Sequence, residues 1–267
     1  MRYKYGRNTL NEQVMQGPNF SLRGKTAVVT GASRGLGSSV AEALASAGAA
    51  VALIGRDERS LADVHTALAA HGGAVMHAVA DLTEIARIPG VFENILQEFA
   101  RIDILINNAG TEEIRASREV TESLWDRIVD TNLKGAFFCA QAAAGHMTQG
   151  GSIVNMCSLT SVAGVAGSVP YGASKSGLAG MTRALAAEWA PDGIRVNGIG
   201  PGYFRTTLTE VFYQDENWQR STLQKIPLRR FGRLDDIGGA AVFLCSDAAA
   251  YITGQILYID GGMLAAL

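Results

Sequence analysis

The sequence predicts an α/β chain, a doubly wound parallel sheet of about seven strands with helices on both faces, and three observations lead there. Short apolar runs recur along the 267 residues, with Ala-, Leu- and Glu-rich stretches of helical periodicity between them. The runs are continuously apolar rather than alternating, which is the pattern of strands covered on both sides. A glycine cluster separates the first run from the first helical stretch, as expected where a strand turns into a helix over a ligand.

In chain order the strands are expected at residues 26–29, 50–54, 75–80, 102–106, 152–156, 195–199 and 256–259. Helices are expected over the Ala-rich stretch 40–47 and over 59–70 and 178–190. Strands alternating with helices imply right-handed crossovers and therefore parallel pairing. Ligands of such sheets bind beyond the carboxyl ends of the strands, and Gly31, Asp81, Asn108, Ser158 and Pro201 all follow predicted strands. Residues 203–230 break the rhythm, with Phe204, Phe212, Tyr213 and Trp218 among charges directly after Pro201-Gly202. A long insertion at a site rim reads as a mobile lid, the other reading being aromatics packed against the sheet. No Pro/Ser-rich linker or charge run divides the chain, so residues 21–267 are expected to form one domain behind an N-terminal extension, residues 1–20.

Composition narrows the function. Apolar residues make up 48% and charged residues 18%, enough for a substantial core, and the net charge of −2 offers no basic face to nucleic acid or to an anionic membrane. No apolar run reaches the roughly 18 residues of a spanning helix, and residues 1–19 lack a signal-peptide core, so a cytoplasmic enzyme is expected. Cys139, Cys157 and Cys245 suit buried thiols in a reducing compartment, and Cys157 is expected to point away from its neighbour Ser158, as adjacent strand residues do. His65, His71, His77 and His146 form no ligand-like cluster, and no metal is expected.

The chemistry is carried by Tyr171 and Lys175, four apart, with Ser158 thirteen residues upstream. An i, i+4 pair shares one helix face, and a cation held near a phenol favours the phenolate, which makes a tyrosine serviceable as a general acid/base. Upstream, Thr30-Gly31-Ala32-Ser33-Arg34-Gly35-Leu36-Gly37 joins a strand to a helix N-terminus, where glycines let the backbone approach a phosphate. At the end of the second strand, where an acidic residue would accept a ribose hydroxyl, the chain reads Ile54-Gly55-Arg56-Asp57. Arg56 and Arg34 could bracket a 2′-phosphate and select NADP(H), while Asp57, one register step away, leaves NAD(H) open.

These motifs, with Asn107-Asn108-Ala109-Gly110, Asn132, Pro201-Gly202 and Asp260-Gly261-Gly262, make residues 22–267 resemble the short-chain dehydrogenase/reductase family. The resemblance implies a Rossmann-type fold and hydride transfer between the C4 of a nicotinamide and a carbonyl or carbinol carbon. It implies Tyr171 as acid/base, Lys175 lowering the phenol's pKa and holding the nicotinamide ribose, Ser158 polarising the substrate oxygen, and Asn132 ordering water between Lys175 and solvent. It further places Gly31, Ser33, Arg34, Gly35, Leu36 and Gly37, then Arg56, Asp81, Leu82, Asn108, Ala109 and Gly110, and finally Pro201, Gly202, Phe204 and Thr206 on the cofactor, with 203–230 as substrate loop.

Within the family, Gly200-Pro201-Gly202-Tyr203-Phe204 and Asp260-Gly261-Gly262-Met263-Leu264 look like the gluconate 5-dehydrogenase and deoxygluconate dehydrogenase group. That group carries an arginine pair soon after Asn-Asn-Ala-Gly, whereas this chain has Thr111-Glu112-Glu113-Ile114-Arg115, and glutamates do not neutralise a substrate carboxylate. The expectation is an NADP(H)-dependent oxidoreductase of a secondary alcohol or ketone on a sugar, sugar acid or polyol. A reductase of acyl-carrier-protein ketones or other ketones is the alternative, and a non-catalytic dinucleotide sensor the remote one. Residues 258–267 are apolar and glycine-rich, and relatives with this ending form two-fold symmetric tetramers, so a homotetramer is expected.

Overall fold

The computed structural model describes residues 17–206 and 209–266. In chain order the elements are β1 (Thr26–Thr30), α1 (Gly35–Ser46), β2 (Ala50–Gly55), α2 (Glu58–Ala70), β3 (Val75–Val79), α3 (Ile88–Phe99), β4 (Ile104–Asn107), α4 (Glu122–Val129), α5 (Gly135–Ala144), β5 (Gly151–Met156), α6 (Val169–Trp189), β6 (Ile194–Pro201), α7 (Glu216–Lys225), α8 (Asp235–Cys245) and β7 (Ile256–Ile259). The strands form one parallel sheet in the order β3-β2-β1-β4-β5-β6-β7. All seven expected strands form. β4 starts at Ile104 rather than residue 102, and Asp103 just before it still bonds across the sheet: its N–H donates to the Thr26 carbonyl at 3.0 Å, its carbonyl accepts the Ser152 N–H at 2.8 Å, and its carboxylate accepts the Thr26 N–H at 2.8 Å and the Arg101 Nε–H at 2.7 Å.

Helices cover both faces, as continuous strand apolarity demands. On one side Val40 and Leu44 of α1, Leu61 of α2 and Leu244 of α8 pack on Val29 and Leu53. On the other, Phe92 and Ile95 of α3, Cys139 and Ala143 of α5 and Leu185 of α6 pack on Val28, Leu105 and Ile153. Helix α6 begins well before the expected residue 178, started by Pro170 in its first turn, and so carries Tyr171 and Lys175 on the same element.

Strand β1 has β2 on one side and β4 on the other, so the chain winds away from it in both directions and a crevice opens at the carboxyl ends of the strands. The turn after β1 meets the end of β4 at backbone distance. Gly31 has φ of +64°, and a Cβ there would lie 2.7 Å from Ala109 Cα; a Cβ on Gly37, in the first turn of α1, would lie 2.2 Å from the Gly31 carbonyl oxygen. Only glycine permits this approach.

Between α4 and α5 the helix passes through a π-helical turn, Asp130–Lys134, which holds Asn132. Of the expected extension, residues 1–16 lie outside the described residues; Asn19 and Phe20 already rest on the body, Asn19 Nδ2 on Asp247 at 3.1 Å and Phe20 against Phe243. Among the described residues no helix is long and apolar enough to cross a membrane.

A buried polar chain links the sheet to its cover: Asn107 Nδ2 donates to Asn155 Oδ1 at 3.0 Å and to the Ala136 carbonyl, and Asn155 Nδ2 donates to Thr182 Oγ1 at 2.9 Å. Removing its middle member leaves buried polar groups without a partner. Asn155→Ala is therefore expected to lower the unfolding free energy by roughly 1–3 kcal/mol, read from the denaturant midpoint. An unchanged midpoint would show that the chain contributes nothing to stability.

Candidate active site

A cleft of about 520 Å³ follows the carboxyl ends of the strands, and every residue expected to touch the cofactor lines it. Asn132 alone among the expected site residues lies behind the wall. No side chain caps the N-terminus of α1, so the free N–H groups of Gly35, Leu36 and Gly37 stand open to an anion. Asn108 braces this turn: its Nδ2 donates to the carbonyls of Thr30 and Gly31, both at 3.0 Å.

At the far end of the cleft, Asp57 caps α2, its Oδ1 accepting the Ser60 N–H at 2.7 Å. The hydrogen bonds from Ser60 hold that carboxyl below the usual range. Arg56, largely exposed, reaches Asp81 Oδ2 at 3.7 Å. Burial pushes the Asp81 carboxyl up, but hydrogen bonds from Thr83 and the nearby Arg56 outweigh it and the net shift is downward. Of the two readings for the ribose, the carboxylate of Asp57 is thus already engaged in its own helix, whereas the guanidinium of Arg56 is held only by a long, exposed ion pair.

The residues expected to be catalytic gather at the other end, Asn132 excepted. Lys175 is buried, donates from Nζ to the Met156 carbonyl at 2.6 Å and lies 5.6 Å from the centroid of the Tyr171 ring. Burial pushes the Lys175 ammonium down to about 8, with the Glu112 carboxylate among the groups opposing. Tyr171 differs from expectation: in the chain by itself its phenol is pushed up, not down, first by burial and then by the negative charge of Glu112, while its hydrogen bond with the Ser158 hydroxyl works the other way. The ammonium does not overcome desolvation here. Ser158 also accepts the Thr160 N–H at 3.2 Å, opening a short 3₁₀ turn.

The side chain of Asn132, expected to order water between Lys175 and solvent, is engaged on protein. Oδ1 accepts the Thr111 N–H at 2.7 Å, and Nδ2 donates to the Thr111 carbonyl at 2.9 Å and to Ser174 Oγ at 3.1 Å. It ties the loop after β4 to the helix of Tyr171. Cys157 was expected to be buried and to point away from Ser158, and its side chain is buried in a cluster with Ala136, Leu178 and Ala179. It lies just past the end of β5, and burial pushes its thiol up to about 11, which makes it unreactive.

Sequence reasoning did not place Glu112 in the site. It lines the cleft, and its Oε1 accepts from Ser168 Oγ at 2.7 Å. Burial pushes the carboxyl up, against the Ser168 hydrogen bond and the Lys175 charge. Its neighbour Glu113 turns outward to Arg115 and Arg127, whose hydrogen bonds hold it low. The available signal was position, since Glu112 follows Gly110 at the end of β4 by two residues.

Residues 203–230 fold as a small body with its own helix, α7. Tyr213 meets Trp218 and Phe231 edge-on at 5.4 and 4.8 Å, Tyr203 meets Trp218 at 5.2 Å, and Tyr203 and Trp218 line the cleft. The aromatics thus pack largely on one another; residues 207–208 and the side chain of Phe212 lie outside what is described.

A family model described as enoyl-(acyl carrier protein) reductase matches residues 31–264. The chain is 39% identical over 250 residues to the gluconate 5-dehydrogenase of Gluconobacter oxydans (strain 621H), covering 93% of this chain and 98% of that one. Two crystal structures superpose with a TM-score of 0.91. One, from Sinorhizobium meliloti 1021 and described as a short-chain alcohol dehydrogenase, is 55% identical and covers 94% of this chain and 100% of its own. The other, a gluconate 5-dehydrogenase from Burkholderia cenocepacia J2315 in complex with NADP and tartrate, is 35% identical and covers 94% and 99%. Matches of this extent, over a sheet and cleft of this form, make the chain a member of the short-chain dehydrogenase/reductase family, an NAD(P)-dependent oxidoreductase acting on CH–OH groups.

Proposed function

We propose that the enzyme interconverts a secondary alcohol and a ketone on a small polar substrate, a sugar, sugar acid or polyol, using NADP(H). The observation that carries this is the convergence of Ser158, Tyr171 and Lys175 on one wall of a cleft whose opposite end carries Arg34 and Arg56. When bound, the nicotinamide takes up or supplies the hydride that leaves or joins the carbinol carbon.

The residues present fit that cofactor. The uncapped N-terminus of α1 suits the pyrophosphate, Arg56 and Arg34 suit a 2′-phosphate, and Asp81 and Leu82 lie where the adenine would be flanked. The Tyr171 hydroxyl exchanges the proton of the reacting oxygen, and the Ser158 hydroxyl hydrogen-bonds that oxygen and polarises it. Lys175, fixed by the Met156 carbonyl, presents its remaining N–H donors toward the ribose and the phenol. Asn132 acts as a positioning residue, through Thr111 and Ser174. Tyr203 and Trp218 close the substrate end as a lid.

A homotetramer is proposed as well, on the exposure of Leu257 in the edge strand β7 and of Tyr251 in the segment that leads into it. Sedimentation at micromolar concentration is expected to give a species of four chains, and monomer alone would overturn the assignment. The buried, unpaired thiols of Cys139, Cys157 and Cys245 suit a cytoplasmic enzyme.

Tyr171→Phe is expected to cut kcat by roughly 10²–10⁴-fold while leaving NADP(H) affinity within a few-fold, by steady-state rates and fluorescence titration. A loss below about tenfold would remove Tyr171 as acid/base.

The unmodified enzyme is expected to prefer NADP(H), and Arg56→Ala to weaken NADP(H) by roughly ten- to a hundredfold with little effect on NAD(H). Added salt should weaken NADP(H) binding more steeply, because the extra contact is ionic and exposed. Preference for NAD(H), together with harm from Asp57→Ala, would assign the ribose to the carboxylate instead.

A further inference from the structure

We infer that Glu112 is a specificity-determining residue that accepts a hydroxyl of a neutral, polyhydroxylated substrate and turns away substrates bearing a carboxylate. The inference rests on the dehydrogenase reading above and narrows its substrate class.

Position carries the argument first. Glu112 stands on the loop directly after β4, within electrostatic reach of Tyr171, Lys175 and Tyr203. Its side chain lines the same cleft as Ser158 and Tyr171 and is held by Ser168, three residues before Tyr171 in the chain. Thr111, its neighbour, is fixed on both backbone groups by Asn132, so the loop presents this side chain from a rigid base.

The distribution of charge comes second. Among the described residues, the cations that line the cleft are Arg34 and Arg56 at the adenosine end and Lys175, which is bound to the Met156 carbonyl and buried beneath Tyr171. The substrate end is walled by Glu112, Thr160, Val165, Ser168, Tyr203 and Trp218, and none of these is a cation. A sugar acid placed there would bring its carboxylate toward another carboxylate, and among the described residues the one cation of that wall, Lys175, is already bound to the Met156 carbonyl; like charges facing one another in a partly desolvated site repel strongly. A neutral sugar or polyol meets the opposite situation. A carboxylate accepts about four hydrogen bonds, and Ser168 Oγ occupies Oε1. A substrate hydroxyl can therefore add a charge-assisted bond.

The test compares substrates that differ in one group: sorbitol with gluconate and xylitol with xylonate, each oxidised with NADP⁺ and followed by NADPH absorbance, for the parent, Glu112→Gln and Glu112→Asp. Gln keeps the shape and can still accept from Ser168, so a change in discrimination reports charge rather than fold, and Asp restores the charge. The parent is expected to favour the neutral member by about tenfold or more in kcat/KM, with Glu112→Gln erasing most of that preference through a lower KM for the acid and Glu112→Asp retaining it. A parent that favours the acid, or a preference unaltered in Glu112→Gln, overturns the inference while the dehydrogenase reading stands. Oxidation of neither member of either pair overturns the substrate class and the inference together.

Discussion

Asn108 Nδ2 donates to the carbonyls of Thr30 and Gly31, while Thr30 Oγ1 accepts the N–H groups of Asn108 and Ala109, all at 3.0 Å. These four bonds join the two central strands where the chain departs from them in opposite directions. They hold the turn after β1 so close to β4 that Gly31 has no room for a Cβ, and they set where α1 begins. The same bonds fix the exit from β4, from which the loop runs through Gly110 to Thr111 and Glu112. Asn132 then takes hold of Thr111 and passes to Ser174, whose hydroxyl donates to the Tyr171 carbonyl at 2.7 Å. The phosphate end and the reacting end of the cleft are thereby parts of one hydrogen-bonded frame.

Electrostatics within this frame are poised rather than satisfied. Three ionisable groups, Glu112, Tyr171 and Lys175, share a partly desolvated wall, and burial drives each toward its neutral form: the acid and the phenol upward, the ammonium downward. Glu112 and Lys175 oppose that drive in one another, while the Ser158 hydroxyl opposes it in Tyr171. A ligand that excludes water from this wall acts on all three at once.

Much of this was legible in the sequence, for physical reasons. Strands buried on both faces must be apolar throughout, and the seven runs stood out on that ground; Tyr171 and Lys175 share a helix face by spacing alone. Arg56 and Asp57 were left open because one register step separates them, and only the Ser60 N–H seated on Asp57 distinguishes a cap from a ribose ligand. Glu112 and Glu113 are alike in sequence, and the choice of which faces the cleft falls to distant partners, Ser168 for the first and Arg127 for the second. The side chain of Asn132 is turned onto Thr111 by a π-helical turn, a feature that no propensity announces.

That turn also has a consequence for chain length. Running α4 into α5 through a π-helical turn adds one residue relative to an unbroken α-helix, and one residue amounts to about 100° of rotation. The buried side chains of α5, Cys139 and Ala143 among them, therefore keep their orientation toward the sheet because of an insertion a few residues upstream. Deleting a single residue within Asp130–Lys134 would regularise the helix and, in the same act, rotate the covering face of α5 off the sheet. The local irregularity is what keeps a helix in phase with two surfaces at once, the loop of Thr111 ahead of it and the sheet beneath.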